Sequence, residues 1–292
     1  GDHRDLHSFP TRRSSDLIMK MDKDFNIIET DILPTVINSK ARFTYQDVQD
    51  IVEGKEDHKF KDDILILKRL AKRLFKNRSD AGSIDFDIPE PIFEMGEKGI
   101  PHEIRPSERM ESHRIVEECM LLANRVVAAE IPKKLPKKYP FVYRVHADPD
   151  QKDVVRFTDL LKVLRLGIQI PKGELSPNDI KNILKHVEDS PYRSLIENVA
   201  LRTMSKAEYS MKDQGHFGLA FDHYTHFTSP IRRYPDLMVH RMIKMVCNKS
   251  IQQAGEWKEL MLKSINTSNE VELKALSADR KSTRLNSSHT SI

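Results

Sequence analysis

Between Gly215 and Arg241 the chain reads GHFGLAFDHYTHFTSPIRRYPDLMVHR, a stretch that crowds hydroxyl, imidazole, aromatic and guanidinium side chains around one turn. Thr228 and Ser229 precede Pro230, where hydroxyls and free backbone N–H groups can cradle an anion. Arg232 and Arg233 follow, each offering a planar fork that matches phosphate oxygens. Pro235 and Asp236 fit the first turn of the next helix. A phosphate group recognised or cleaved at this corner is the chemistry the pattern favours. His216, His223, His226 and His240 raise a zinc alternative. On a strand His223 and His226 point to opposite faces, no helical H-x-x-x-H spacing occurs, and no cysteine lies close, so these histidines read as satisfied within the fold or facing the phosphate-bearing ligand. Ser229 as a nucleophile lacks the G-x-S-x-G elbow that such a serine needs.

The elements that must position this corner follow from periodicity. Gly215 to Tyr224 reads as a strand leading into it, and Pro235 to Asn248 as the helix leading out. Upstream, residues 18–40 alternate apolar and polar positions around a turn at Asp24 to Asn26, a hairpin pattern. Thr44 with Asp47 forms an N-capping arrangement, and the helix it opens stops at Gly54. A second helix is expected over residues 62–76, with Ile64, Leu67, Leu70, Ala71 and Leu74 inward and a basic face outward, the latter read as a solvated surface. Residues 82–105 read as strands interrupted by Pro89, Pro91 and the turn Gly96 to Gly99. A long helix follows over residues 108–129. Lys133, Lys134, Lys137 and Lys138, interleaved with prolines, read as a linker. Beyond a strand at PFVYRVH, helices are expected over 150–166, 176–187, 192–204 and 256–277. The fold class is therefore α+β, with a mixed or antiparallel sheet surrounded by helices.

Composition sets outer limits. The 292 residues are 38% hydrophobic, enough for a real core. Apolar runs nowhere approach the length of about 18 residues that a membrane helix requires. Cys119 and Cys247 are too far apart in sequence for a paired-thiolate motif, and read as small buried hydrophobes in a reducing, cytoplasmic setting. The net charge is +4, and residues 280–292 carry three of those charges through Arg280, Lys281 and Arg284. Bulk charge is thus a poor argument for a polyanion partner, and local patterning must carry it. Residues 1–17 and 280–292 show no apolar period and resemble translated sequencing-adapter read-through. They are expected to be non-native, disordered ends flanking a single domain over residues 18–279.

The run HFGLAFDHYTHFTSPIRRYPDLMVHR resembles the signature of the RNB catalytic domain, in its ribonuclease R and ribonuclease II branch. INSKARFTYQDVQDIVE, RIVEECMLLANRVVAAEI, PFVYRVHADPD and YRSLIENVALRTMSKAEYS are similar to consecutive blocks of the same domain, in the same order. The resemblance runs from about residue 18 to residue 279, so it implies a part of that catalytic domain.

Family members degrade single-stranded RNA processively from the 3' end to 5'-nucleoside monophosphates by two-metal hydrolysis. The resemblance therefore implies an RNA partner, Mg2+ as cofactor, a monomer, and neither DNA nor a membrane as partner. It assigns Arg232 the catalytic contact with the scissile phosphate, and places Arg233, Ser229 and His216 around it among the RNA-binding residues, Arg233 chiefly as a structural one. Tyr45 and Glu117 match positions that touch the RNA sugar, and Phe86 resembles the aromatic that stacks on a terminal base. The aspartate cluster that holds the metals in the family has no counterpart here. Asp62, Asp63, Asp22 and Asp24 are its nearest imitations and read as a helix cap and a turn. Cold-shock and S1 domains are likewise missing from the pattern. A non-catalytic RNA-binding relative is the alternative expectation.

Overall fold

The computed structural model describes residues 13–85, 91–96, 101–106, 108–169, 173–251 and 254–289. Its element order is β1 (Arg13–Met21), β2 (Ile27–Val36), α1 (Tyr45–Glu53), α2 (Lys61–Asp80), β3 (Pro91–Met95), β4 (Pro101–Pro106), α3 (Glu111–Lys134), β5 (Tyr143–Val145), α4 (Gln151–Leu164), α5 (Pro177–His186), α6 (Arg193–Thr203), β6 (Glu208–Ser210), α7 (Tyr234–Cys247) and α8 (Ala254–His289). Among the described residues the strands form three antiparallel pairs, β1 with β2, β3 with β4 and β5 with β6. The architecture is α+β, with helices supplying most of the packing surface.

Local chemistry explains where several elements begin. The Thr44 hydroxyl accepts from Asp47 N while the Asp47 carboxylate accepts from Thr44 N at 2.7 Å, closing a capping box on α1. Gly54 ends that helix in the left-handed region at φ +77°. Ser176 and Asp179 repeat the box on α5, with Pro177 at its first position. In the first hairpin the Asp22 carboxylate accepts from Asp24 N and Asn26 N, which fixes the turn expected there.

Three apolar clusters lie beneath these elements. The largest gathers Val127 and Ile131 of α3, Phe141, Tyr209, Phe227, Met238, Val239 and Met242 of α7, and Trp257 and Met261 of α8. A second is built by α4, α5 and α6 around Phe157, Ile180 and Ile196. The third joins α1, α2 and α3 through Ile51, Ile64, Ala71 and Ile115.

Four expectations need correction. The lysine- and proline-rich stretch is no linker: α3 continues through Pro132 to Lys134, and Ile131 and Leu135 are buried in the main core. Leu67 is 41% exposed rather than inward, because α2 buries only the stripe around Ile64, Leu70 and Ala71. The expected strand at 215–224 is instead an isolated bridge at His216 followed by a 3-10 turn over Phe217–Leu219. Finally, the two ends are not without structure. Residues 13–17 pair with residues 32–36 in the first hairpin, since backbone hydrogen bonds need no apolar side-chain period, and the α8 backbone runs helical to His289.

Candidate functional site

The corner rests on a segment, Tyr224 to Thr228, whose groups are bonded from several directions. Arg144 N donates to Tyr224 O at 2.9 Å, and the Thr225 hydroxyl donates to Val142 O at 2.7 Å. Asn124, buried in α3, accepts from Phe227 N at 2.9 Å and Thr228 N at 3.2 Å and donates to the Tyr224 hydroxyl at 3.1 Å. From α7, His240 Nε2 donates to Phe227 O at 2.9 Å, and its ring stacks on Phe227 with centroids 4.5 Å apart.

The turn itself, Ser229 to Arg233, is closed by Arg232 N and Arg233 N donating to Ser229 O. Asp236, fully buried in the first turn of α7, takes Ser229 N and Arg233 Nη2 on one oxygen, each at 2.8 Å. Arg233 is therefore held by a buried carboxylate. Arg232 is exposed, and among the described residues its side chain makes no hydrogen bond or ion pair. Beside it Ile231 is 90% exposed. The corner thus presents one uncommitted guanidinium on a backbone that cannot easily shift.

Behind the corner lies a column of rings. His216 meets His146 at 5.0 Å and Tyr224 at 5.3 Å, Tyr224 meets His226 at 5.7 Å, and His226 meets Tyr209 at 5.5 Å. Burial, helped by the neighbouring positive charges, holds His216 at a pKa of about 3 and His226 at about 2. Both are neutral at physiological pH. Tyr209, whose hydroxyl is pushed up to about 12 by burial, shares a hydrogen bond of 2.8 Å with Nδ1 of His226. His223, nearer the surface, bonds Asp213 at 2.5 Å.

A second group sits on α1 and α3. Tyr45 opens α1, is 48% exposed, and lays its ring 4.2 Å from that of His113. Glu117 stands one turn further along α3 and accepts from Arg109 Nη2 at 2.7 Å. His113, Glu117 and Asn124 follow the i, i+4 and i+11 spacing that keeps residues on one helix face. One stripe of α3 therefore carries the Tyr45 contact, the Glu117 carboxylate and the anchor of the arginine corner, over a length of about 16 Å at 1.5 Å per residue. Phe86 lies outside the described residues.

The family model of the RNB domain matches residues 6–249. This chain belongs to the RNB-domain family. Ribonuclease R of Aquifex aeolicus is 36% identical over 260 residues, covering 82% of this chain and 36% of that protein. Ribonuclease R of Ureaplasma parvum is 38% identical over 239 residues, covering 78% of this chain and 33% of the other. Among solved structures, Mycoplasma genitalium RNase R in complex with ribose methylated single-stranded RNA superposes with a TM-score of 0.83 at 26% identity, over 93% of this chain and 43% of that one. The chain spans about a third of the length of the curated relatives it matches.

Among the described residues no group of three or more His, Cys, Asp or Glu side chains converges as metal ligands would. Asp22 is spent on its turn, and Asp62 and Asp63 stand in the first turn of α2. Nor is any described helix long and apolar enough to cross a membrane. Reading the sequence alone missed Asn124, Asp236 and Arg109. Asn124 had a signal, an amide set between the apolar runs Met120–Ala123 and Val126–Ala129 of α3; Asp236 and Arg109 looked like ordinary helix-start residues.

Proposed function

We propose that this chain is part of a cytoplasmic, magnesium-dependent 3'-to-5' exoribonuclease of the ribonuclease R type, acting on single-stranded RNA as a monomer. The observation that carries the proposal is the contrast at the corner: Arg233 is neutralised by Asp236, whereas Arg232 is exposed and, among the described residues, uncommitted. A guanidinium so placed is available to the scissile phosphodiester, where it would offset charge that builds up during in-line attack. Ser229 closes the turn beside it. Tyr45 and Glu117 are proposed as the contacts to ribose, with the second carboxylate oxygen of Glu117 accepting from a 2'-hydroxyl. Arg233 and His216 are assigned to holding the corner and its neighbouring loop rather than to touching RNA, since the one is paired to Asp236 and the other is neutral and packed between rings. Phe86 is kept as the proposed stacking partner of a terminal base.

Binding of a labelled oligo(A) to the 292-residue chain tests this reading. Arg232→Ala is expected to weaken binding roughly tenfold, the size of one charge-assisted phosphate contact, and to reduce the salt slope by about 0.7. Equal affinity of the variant and the parent chain would remove the basis of the proposal. As the sequence shows no counterpart of the family's aspartate cluster, we also propose that this 292-residue polypeptide by itself gives no magnesium-dependent release of monophosphates.

A further inference from the structure

Glu117 is held in place by one side chain with a second attachment. Arg109, just before α3 and 28% exposed at its side chain, donates through Nη2 to Glu117 at 2.7 Å and through Nη1 to Asp85 at 2.9 Å. Asp85 adjoins Phe86 in the sequence. A second cation, Arg114, approaches the other Asp85 oxygen at 3.9 Å and lies over the Phe75 ring at 4.5 Å. The rigid guanidinium plane thus fixes the relative position of two carboxylates that come from separate segments. It occupies Oε2 of Glu117. Oε1 of that carboxylate meets no protein hydrogen-bond donor among the described residues.

We infer that Arg109 is a positioning residue for RNA-over-DNA selection: it orients Glu117 so that Oε1 is presented to a ribose 2'-hydroxyl, and it ties that sugar reader to the segment leading into Phe86. The inference rests on the reading of Glu117 as the ribose contact and adds the residue through which that contact is aimed. Without the guanidinium, a half-exposed carboxylate on a flexible stem samples several rotamers, and the 2'-hydroxyl must order it at the moment of binding. Lysine cannot replace the fork, because a point charge cannot hold both carboxylates in one plane.

The test compares the affinities of the 292-residue chain for an RNA oligo(A) and for its deoxy counterpart. The parent chain is expected to prefer RNA. Arg109→Gln is expected to lower the RNA-to-DNA affinity ratio roughly fivefold, as Glu117→Gln also should, through RNA affinity alone. The Arg109→Gln/Glu117→Gln double variant should lose no more than either single one, because both act on the same contact. Arg109→Lys should fall in between, and it supplies the measurement if Arg109→Gln does not fold. A ratio unchanged in a folded Arg109 variant, or losses that multiply in the double variant, would overturn the positioning role while leaving RNA binding intact. A parent chain that binds RNA without preferring it over DNA would remove the sugar reading and this inference with it. A chain that binds neither would remove the proposed function itself.

Discussion

Neighbouring arginines at 232 and 233 differ because only one of them reaches Asp236. That carboxylate is fully buried and accepts from both the turn backbone and the Arg233 side chain, so its negative charge is met inside the protein. Removing one member of a buried pair leaves the other uncompensated, which costs about 3 kcal/mol or more. Asp236→Ala is therefore expected to lose at least that much stability in urea unfolding and to loosen the turn that presents Arg232. Arg232→Ala should change stability by no more than about 0.5 kcal/mol, because its side chain is exposed and makes no bond within the described fold. Two substitutions four positions apart thus separate folding from binding. Equal destabilisation by both would show that Arg232 is also a structural residue.

At the scale of elements, α3 organises the site. Its first half bears His113 and Glu117, and its centre bears Asn124, whose amide satisfies two backbone N–H groups and meets the hydroxyl of Tyr224. Asn124→Ala would leave those donors without a partner in a buried setting, at a cost of about 2 to 4 kcal/mol in chemical denaturation. It should also weaken RNA binding, since the corner is held through those bonds. A variant that lost stability while keeping full RNA affinity would show that the corner is fixed by Asp236 and His240 without help from α3. The starts of α1 and α5 were legible in the sequence because caps are local chemistry: Thr44 with Asp47, and Ser176 with Asp179, specify their helices within four residues. The approach to the corner was not legible. Phe217 to Leu219 turn because His146, some seventy positions earlier, binds that backbone from the side, and because Gly215 adopts φ +70° with Phe221 O only 2.9 Å from where a Cβ would stand. Such tertiary constraints leave no period in the local sequence. Arg232 and Glu117 could be named from their motifs, yet Arg109, which bridges Asp85 and Glu117, could not, since its partners lie 24 positions before it and 8 after it.

Across the whole molecule, the ring column joins two cores. It begins beside Phe217 in the cluster of α4, α5 and α6, passes through His146, His216, Tyr224 and His226, and ends at Tyr209 in the main core. Stability must therefore depend on keeping these imidazoles neutral. Burial lowers the folded pKa of His216 to about 3 and of His226 to about 2, and lowers those of His146 and His240 as well. In the unfolded chain a histidine titrates near 6.5. Between those limits the unfolded state binds protons that the native state refuses, so stability falls as pH drops through 6.5 and continues to fall toward pH 3. Each such histidine contributes about 1.4 kcal/mol per pH unit within that window, and His216 and His226 together should cost on the order of 4 kcal/mol between pH 7 and pH 5. That is a large fraction of the roughly 5 to 15 kcal/mol by which a domain is stable. Thermal melts are expected to shift steeply downward over this range, well above the pH at which carboxylates begin to protonate. A melting temperature that stayed level from pH 7 to pH 5 would mean that solvent reaches the column and that the two cores are joined by something other than neutral histidines.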